Sequence, residues 1–190
     1  MTDHARPYNS EPSARSGQDP GVLDAPEKRV AFDLDAYVER VKTGPCFVCR
    51  IAGARSPDQP VVLRDDRNIA FLPNVHVLLG YVIVAPIDHR EHVVADFPLD
   101  DYLDLQRLIH RIGRALTKTV PTERIYVLSL GSKDGNAHVH WHVAALPPGT
   151  PYEDQQYRAL MVETKGVLAL TDEVREDLAD RLRTAIEGTG

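Results

Sequence analysis

The feature that most constrains this chain is a run of three histidines that alternate with apolar residues over residues 138–142, followed by the uncharged residues 143–145. Strict alternation is typical of a β-strand, in which residues i, i+2 and i+4 share one face. The pattern predicts a strand with Val139, Trp141 and Val143 toward the core and the imidazoles on the opposite face. Burying polar rings costs free energy unless they are hydrogen-bonded or ligated, so this face indicates a functional site.

Length and composition are those of one globular domain with appended segments. The 190 residues are 43% hydrophobic and 26% charged, with a net charge of −6. This charge disfavours nucleic-acid polymers and membrane surfaces, although a small anion at a local site stays compatible with it. We find no apolar run of about 18 residues and no signal-peptide core. We therefore expect a cytoplasmic protein whose two cysteines are metal or redox ligands rather than a disulfide.

Composition also divides the chain into three parts. Residues 1–30 are rich in Pro, Ser, Asp, Gly and Arg, which predicts a disordered tail. Residues 31–150 carry the strand patterns and form the expected domain. Residues 151–190 are an extension, with a helix expected over residues 152–160 and an amphipathic, threonine-capped helix over residues 171–186.

The apolar patterns of the central part predict a short helix, four further strands and a long helix. Leucine and isoleucine at helical spacing define the long helix, which begins at Pro98 and cannot continue through Pro121. His110 lies beside this stripe and is expected at the surface or in helix packing. The short helix is expected at residues 32–41, the strands at residues 61–64, 68–72, 80–85 and 124–130, and the long helix at residues 98–119.

Metal binding is the first hypothesis for the histidines. Cys46 and Cys49 have the CxxC spacing that lets two thiolates reach one zinc ion, and the thioredoxin-like context of a redox CxxC is missing. Together with His138 and one more histidine they make a closed, structural Cys2His2 set. Either His89 or His92 can supply the last ligand. Two buried structural thiols are the plain alternative.

Covalent chemistry on phosphorus is the second hypothesis. A neutral imidazole can attack a phosphate ester or anhydride and form a phosphoramidate that water resolves. His140 is central in the motif, and His142 can hold or protonate phosphoryl oxygens, while the backbone of residues 131–136 can cradle an anion. A catalytic metal on all three histidines is the third hypothesis. It is disfavoured because the outer two lie about 13 Å apart on a flat strand at about 3.3 Å per residue.

The His-x-His-x-His motif and its apolar continuation resemble the signature of the histidine triad (HIT) family. The CxxC pair, the strand at residues 68–71, the strand that ends at Pro86 with His89 after it, and the long helix follow in that family's order over residues 45–147. The resemblance implies an α+β fold with a mainly antiparallel five-stranded sheet and a long helix packed against it, here with a C-terminal helix added. It also implies a homodimer.

The same resemblance implies an activity and a set of site residues. Members are nucleotidyl hydrolases or transferases that act on the α-phosphate of a nucleotide through a nucleotidylated histidine. We expect a small-molecule substrate such as a nucleoside phosphoramidate or a dinucleoside polyphosphate. Hydrolysis is favoured over nucleotidyl transfer to an acceptor because no sequence feature indicates a pocket for a second substrate. By position, the nucleophile is His140, its phosphate partner is His142, and one structural Zn²⁺ per chain, with no organic cofactor, falls on Cys46, Cys49, His89 and His138.

Three positions depart from the family pattern. Many members carry an acidic residue for the ribose hydroxyls where this chain has Leu72, Pro73 and Asn74. An asparagine before the phosphate loop is replaced by a serine, and a Gly-Gln pair by Gly-Asn in a shorter loop. The missing acidic residue motivates an alternative, a non-catalytic nucleotide-binding or zinc-stabilised adaptor. The expected substrate contacts are Asn74, Ser129, Gly135 and Asn136, whereas Gln155 and Gln156 are expected to be solvated.

Overall fold

The computed structural model describes residues 28–133 and 135–188. The helices are α1 (Leu34–Thr43), α2 (Phe47–Ala52), α3 (Leu99–Thr119), α4 (Tyr157–Leu160), α5 (Val162–Lys165) and α6 (Asp172–Glu187), with a 3₁₀ turn at Tyr152–Asp154. The strands are β1 (Arg29–Val30), β2 (Val61–Arg64), β3 (Asn68–Phe71), β4 (Tyr81–Pro86), β5 (Arg124–Leu128), β6 (Trp141–Leu146) and β7 (Val167–Leu168).

A five-stranded sheet of order β2-β3-β4-β6-β5 is antiparallel at every pairing. α3 packs across one face of this sheet against β4 and β6, and α6 packs against α3. Apolar residues at helical spacing hold the layers together, with Leu105 and Ile112 of α3 and Leu182 of α6 fully buried. The predicted α+β class, with a long helix and a C-terminal helix, is therefore confirmed. None of the described helices is long and apolar enough to cross a membrane.

The second face of the sheet is also buried, and it carries the site. Alternation along β4 sends Val82 and Val84 toward α3, whereas Tyr81 and Ile83 join a separate apolar cluster. The short helix α2 covers this second cluster with Val48 and its neighbours. A strand that is buried on both faces is apolar throughout, as the sequence of β4 is.

The histidine strand begins later than predicted, because β6 starts at Trp141 and includes only the last of the three histidines. The ladder between β4 and β6 ends where Val84 faces Trp141. Pro86, the last residue of β4, has no N–H that could extend this ladder. The N–H of Val139 donates instead to the carbonyl of Arg90 at 2.7 Å. The two faces are nevertheless as predicted, since Val139 and Trp141 are buried in the α3 core and the histidines lie opposite.

The helix predicted over residues 152–160 is broken in two. Gln156 has a φ of +57°, which lies in the left-handed region and ends any continuous helix. Its N–H donates to the hydroxyl of Tyr126 on β5 at 3.0 Å, so this kink is held by the sheet. The helix predicted over residues 171–186 forms as α6, with the Thr171 hydroxyl accepting from the N–H of Val174.

The first strand of the described chain pairs with the C-terminal extension in a two-stranded sheet. β1 pairs antiparallel with β7, and the Arg29 guanidinium donates to the carbonyl of Val77 at 2.9 Å. Of the tail predicted over residues 1–30, residues 28–30 lie in the described part of the chain, where Arg29–Val30 form β1. The rest of that prediction, residues 1–27, lies outside the described residues.

His76 should make the stability of this fold depend on pH. Its side chain is 2% exposed, and burial, followed by the charge of Arg175, lowers its pKa from an ordinary 6.5 to about 4. Between these values the unfolded chain binds a proton that the folded chain excludes, so stability is lost as the pH falls from 6.5 toward 4, by about 3 kcal/mol in full. Denaturant titrations should show a shallower pH dependence for His76→Leu than for the wild type. Replacement of the exposed His110 by leucine should leave the wild-type slope.

Candidate functional site

A cleft of about 620 Å³ opens over the second face of the sheet, and His140 and His142 line it. The helices α1 and α2 form one wall, and the segment after β5 forms another. The loop before β4 and the extension after β6 complete the walls with Asn74, Leu160 and Val162. The cleft is thus built by the domain together with the C-terminal extension.

A group of four metal-binding side chains lies at one side of this cleft. Cys46 caps the N-terminus of α2 and Cys49 lies in its first turn, so the helix points both thiols toward His138. Each Sγ lies 3.5 Å from Nδ1 of His138, and Sγ of Cys49 lies 3.3 Å from Nδ1 of His89. All four ligand atoms lie within 4.8 Å of one another.

These separations fit a tetrahedral zinc ion. Bonds of about 2.3 Å to sulfur and about 2.0 Å to nitrogen place such ligand atoms about 3.5 Å apart. Nε2 of His138 donates to the carbonyl of Pro86 at 3.0 Å, which leaves Nδ1 without a proton and free to ligate. His89, rather than His92, belongs to the group, because the exit of β4 brings it beside the His138 ring at a centroid distance of 4.7 Å.

The surroundings of the group favour the protonation states that metal ligation needs, once a cation is present. Burial lowers the pKa of His138 to about 4, so its ring is neutral at physiological pH. Burial, followed by a hydrogen bond with Cys46, raises the pKa of Cys49 to about 11. A bound cation reverses this second effect, since a coordinated thiol is deprotonated.

His140 is held in one tautomer by the main chain. Its Nδ1 lies 2.7 Å from the carbonyl of His138, and because a carbonyl only accepts, Nδ1 carries the proton. Nε2 therefore presents a lone pair. The ring is 4% exposed and stands edge-on to Phe47 at a centroid distance of 5.2 Å. Burial lowers its pKa, which keeps it neutral and nucleophilic.

His142 lies beside His140, and its hydrogen-bond partner favours the other tautomer. The Tyr81 hydroxyl lies 2.9 Å from Nδ1 of His142, and burial raises the pKa of this phenol, so that Tyr81 keeps its proton and can donate it to Nδ1. Nε2 of His142 then bears the N–H. Burial, followed by the nearby His140, lowers the pKa of His142 to about 4, and the two rings lie 4.9 Å apart. A nucleophilic nitrogen and a donor N–H thus stand side by side.

No protein-family model matches the chain, and no curated protein sequence matches it. Several solved protein structures are similar to it. A hypothetical histidine triad nucleotide-binding protein from Sulfolobus tokodaii superimposes with a TM-score of 0.59 at 22% identity, covering 75% of this chain and 93% of that one. A zinc-bound histidine triad family protein from Mycobacterium smegmatis gives 0.57 at 19%, covering 75% and 94%. A histidine triad protein from Bradyrhizobium japonicum gives 0.56 at 16%, covering 70% and 94%. The chain has the histidine triad fold.

On this histidine triad fold, the residues predicted to contact substrate take two different roles. Asn74 lines the cleft, and its Oδ1 accepts from Nη2 of Arg175 on α6 at 3.1 Å. Ser129 does not line the described cleft. Its hydroxyl donates to the carbonyl of His140 at 2.8 Å, where the ladder from β5 has ended. Ser129 therefore fixes the backbone that carries His140.

Gly135 and Asn136 line the cleft and bind the loop to α1. Asn136 has a φ of +54°, and its Nδ2 donates to the hydroxyl of Tyr37 at 2.9 Å. A Cβ on Gly135 would lie 2.4 Å from Cγ1 of Val41, so only glycine allows this close approach of loop and helix. The loop predicted to cradle an anion is thus clamped to α1.

Two tyrosines were missed by the sequence reasoning. Tyr81 is in the strand that pairs with the histidine strand, and its alternation with Val82 and Val84 puts it on the histidine face. A hydroxyl on the same face of the sheet as the histidines could have been predicted from this alternation. Tyr37 gave no such signal, because only the tertiary packing of α1 brings it to Asn136.

Proposed function

We propose that this protein is a nucleotidyl hydrolase that cleaves at the α-phosphate of a nucleotide through a covalent intermediate on His140. The substrates are small nucleotides such as a nucleoside phosphoramidate or a dinucleoside polyphosphate. One observation carries the proposal, namely a neutral imidazole that lines the cleft with Nδ1 tied to a backbone carbonyl and Nε2 unprotonated. The histidine triad nucleotide-binding protein from Sulfolobus tokodaii, a fold neighbour, supports a nucleotide as the ligand.

The chemistry follows from the two tautomers. Nε2 of His140 bonds to the α-phosphorus as the bond to the leaving group breaks, and Nδ1 keeps its proton on the His138 carbonyl. The N–H of His142 lies beside the reacting centre and can donate a hydrogen bond to a phosphoryl oxygen, which stabilises the charge that develops there. Water then attacks phosphorus, the N–P bond breaks, and the nucleoside monophosphate leaves with the imidazole restored.

We infer that Cys46, Cys49, His89 and His138 hold one structural zinc ion. The ligand separations support zinc, and a fold neighbour from Mycobacterium smegmatis is zinc-bound. Four protein ligands close the coordination shell, so the ion would tie α2, the exit of β4 and the histidine segment together. The ion would act on His140 only through the backbone of His138.

We further propose a homodimer in a reducing compartment, the cytoplasm. Both cysteines are free thiols in the described structure. β5 is an edge strand of the five-stranded sheet, and Val127 on it is 48% exposed. Exposed apolar side chains on an unpaired strand edge favour pairing with a second chain.

The His140→Ala variant tests the activity. We expect turnover of nucleoside phosphoramidates and dinucleoside polyphosphates to fall by at least about a thousandfold, because the attacking nitrogen is gone. Intact-mass spectrometry of quenched wild type should show a nucleotidyl adduct that the variant lacks. His110→Ala, a change on the exposed face of α3, serves as the matched control and should keep both turnover and adduct.

If the wild type forms no adduct and turns over neither substrate class while it still binds nucleotide, the catalytic proposal is wrong. The protein is then the adaptor that the missing acidic residue suggested. Loss of zinc or of the fold in His140→Ala would contradict the separation of nucleophile and metal site.

The Cys49→Ser variant tests the metal. Zinc-binding free energy is folding free energy in a closed site, so we expect loss of bound zinc and a fall in the free energy of unfolding of several kcal/mol. Elemental analysis and chemical denaturation measure the two quantities. Chelation should lower the Tm of the wild type and leave that of Cys49→Ser unchanged, and His92→Ala should behave as the wild type. A variant without zinc but with the wild-type Tm would refute a structural metal.

The Tyr81→Phe variant tests the tautomer of His142. It removes only the hydroxyl that donates to Nδ1, so His142 can turn its lone pair toward the substrate. We expect kcat to fall about tenfold, the effect of one hydrogen bond of about 1.4 kcal/mol, with little change in KM. Tyr126→Phe, whose hydroxyl contacts the backbone of Gln156, is the control. Equal effects of the two variants would assign Tyr81 to the fold alone.

A further inference from the structure

Among the residues that the structure describes, the charged side chains that line the cleft all have one sign. The whole chain carries 28 acidic and 22 basic residues. The described cleft nevertheless has no aspartate or glutamate among its lining residues. Its formally charged members are Arg40, Lys42, Arg50 and Lys133.

Three of these cations have no anionic partner in the part of the chain that the structure describes. Arg50 donates to the hydroxyl of Ser56 and is occupied there. Arg40, Lys42 and Lys133 form no ion pair with any carboxylate of the described residues, although ion pairs with Asp and Glu are frequent elsewhere on this surface. Their charge is therefore available to a ligand.

These cations line the cleft from two elements. Arg40 and Lys42 lie in the last turn of α1, and Lys133 lies in the loop that follows β5. The bond from Asn136 to Tyr37 pins that loop to the helix. The Arg40 guanidinium lies over the Tyr37 ring, 5.5 Å from its centroid, so one aromatic ring orients the arginine and anchors the loop.

We propose that Arg40, Lys42 and Lys133 form an anion subsite for the leaving group, so that the substrates are polyphosphates, such as dinucleoside polyphosphates, rather than phosphoramidates. This inference rests on the proposed nucleotidyl transfer to His140. When the bond from the α-phosphorus to the bridging oxygen of a polyphosphate breaks, the electron pair stays on that oxygen, and the departing chain is strongly anionic. The cations bind that chain and stabilise the charge that develops.

A phosphoramidate makes no use of these charges. Its nitrogen takes a proton as the P–N bond breaks and leaves as a neutral or cationic amine. The three cations give such a leaving group no attraction and repel it once it is protonated. The positive charge of the cleft therefore favours polyphosphates over phosphoramidates, two substrate classes between which the histidines alone would not discriminate.

The test compares kcat/KM for a dinucleoside tetraphosphate with kcat/KM for the phosphoramidate of the same nucleoside. The variant carries Arg40→Gln, Lys42→Gln and Lys133→Gln. Exposed ion pairs contribute modestly, so we expect the ratio of the two constants to fall about threefold for each side chain and about thirtyfold for all three. Raising the salt concentration should reduce the wild-type ratio in the same direction.

A matched control variant has the same net charge as the cleft variant. Arg111→Gln, Arg114→Gln and Lys118→Gln remove three exposed cations of α3 that do not line the described cleft. This control should leave the ratio at the wild-type value. If it lowers the ratio as much as the cleft variant does, or if the cleft variant leaves the ratio unchanged, the subsite does not exist.

Binding and product analysis separate this inference from the proposed function. A methylene-bridged, non-hydrolysable dinucleoside tetraphosphate should bind the wild type more tightly than the nucleoside monophosphate does, and the cleft variant should lose this difference. Equal affinities would overturn the subsite even if an adduct forms on His140. An absent adduct would overturn the catalytic proposal instead. Formation of a nucleoside diphosphate from the phosphoramidate plus inorganic phosphate would assign the cations to an incoming acceptor and refute the leaving-group assignment.

Discussion

The main chain and ring of His138 are the constraint on which the rest of the site depends. Its carbonyl accepts from His140, its Nε2 donates to Pro86, and its Nδ1 faces the two thiols. One residue therefore sets the tautomer of His140 and joins it to the group of two cysteines and two histidines. Any shift of this segment would disturb that group and the His140 ring together, so a metal ion held by the group would make the whole arrangement rigid.

The site occupies the place where regular sheet structure stops. The ladder to β4 ends at Trp141, because Pro86 has no N–H to offer to the preceding residues. Backbone groups at this end are satisfied by other partners, the Arg90 carbonyl for the Val139 N–H and the Ser129 hydroxyl for the His140 carbonyl. These bonds leave the imidazoles buried but facing a cleft, where burial lowers their pKa values and keeps them neutral.

Helix α1 and the C-terminal extension line the cleft together with the sheet. α1 supplies Tyr37 to the loop and Arg40 to the cleft, while β1 pairs with a strand of the C-terminal extension. In our proposals the histidines carry the nucleotidyl transfer, and the cations of the cleft walls bind the leaving group. The chain has a net charge of −6, whereas the formally charged residues that line the described cleft are all cations.

Periodicity and helix caps are local properties of the chain, and they were enough to predict the fold class, the buried face of the histidine segment and the capped C-terminal helix. Tertiary contacts were needed to show that β6 begins at Trp141, that His89 is the histidine beside the two cysteines, and that Ser129 supports the backbone instead of lining the cleft. Each of these depends on which strand lies opposite and what that strand can donate. The clamp between Tyr37 and Asn136 joins residues 99 positions apart, a contact that no local pattern encodes.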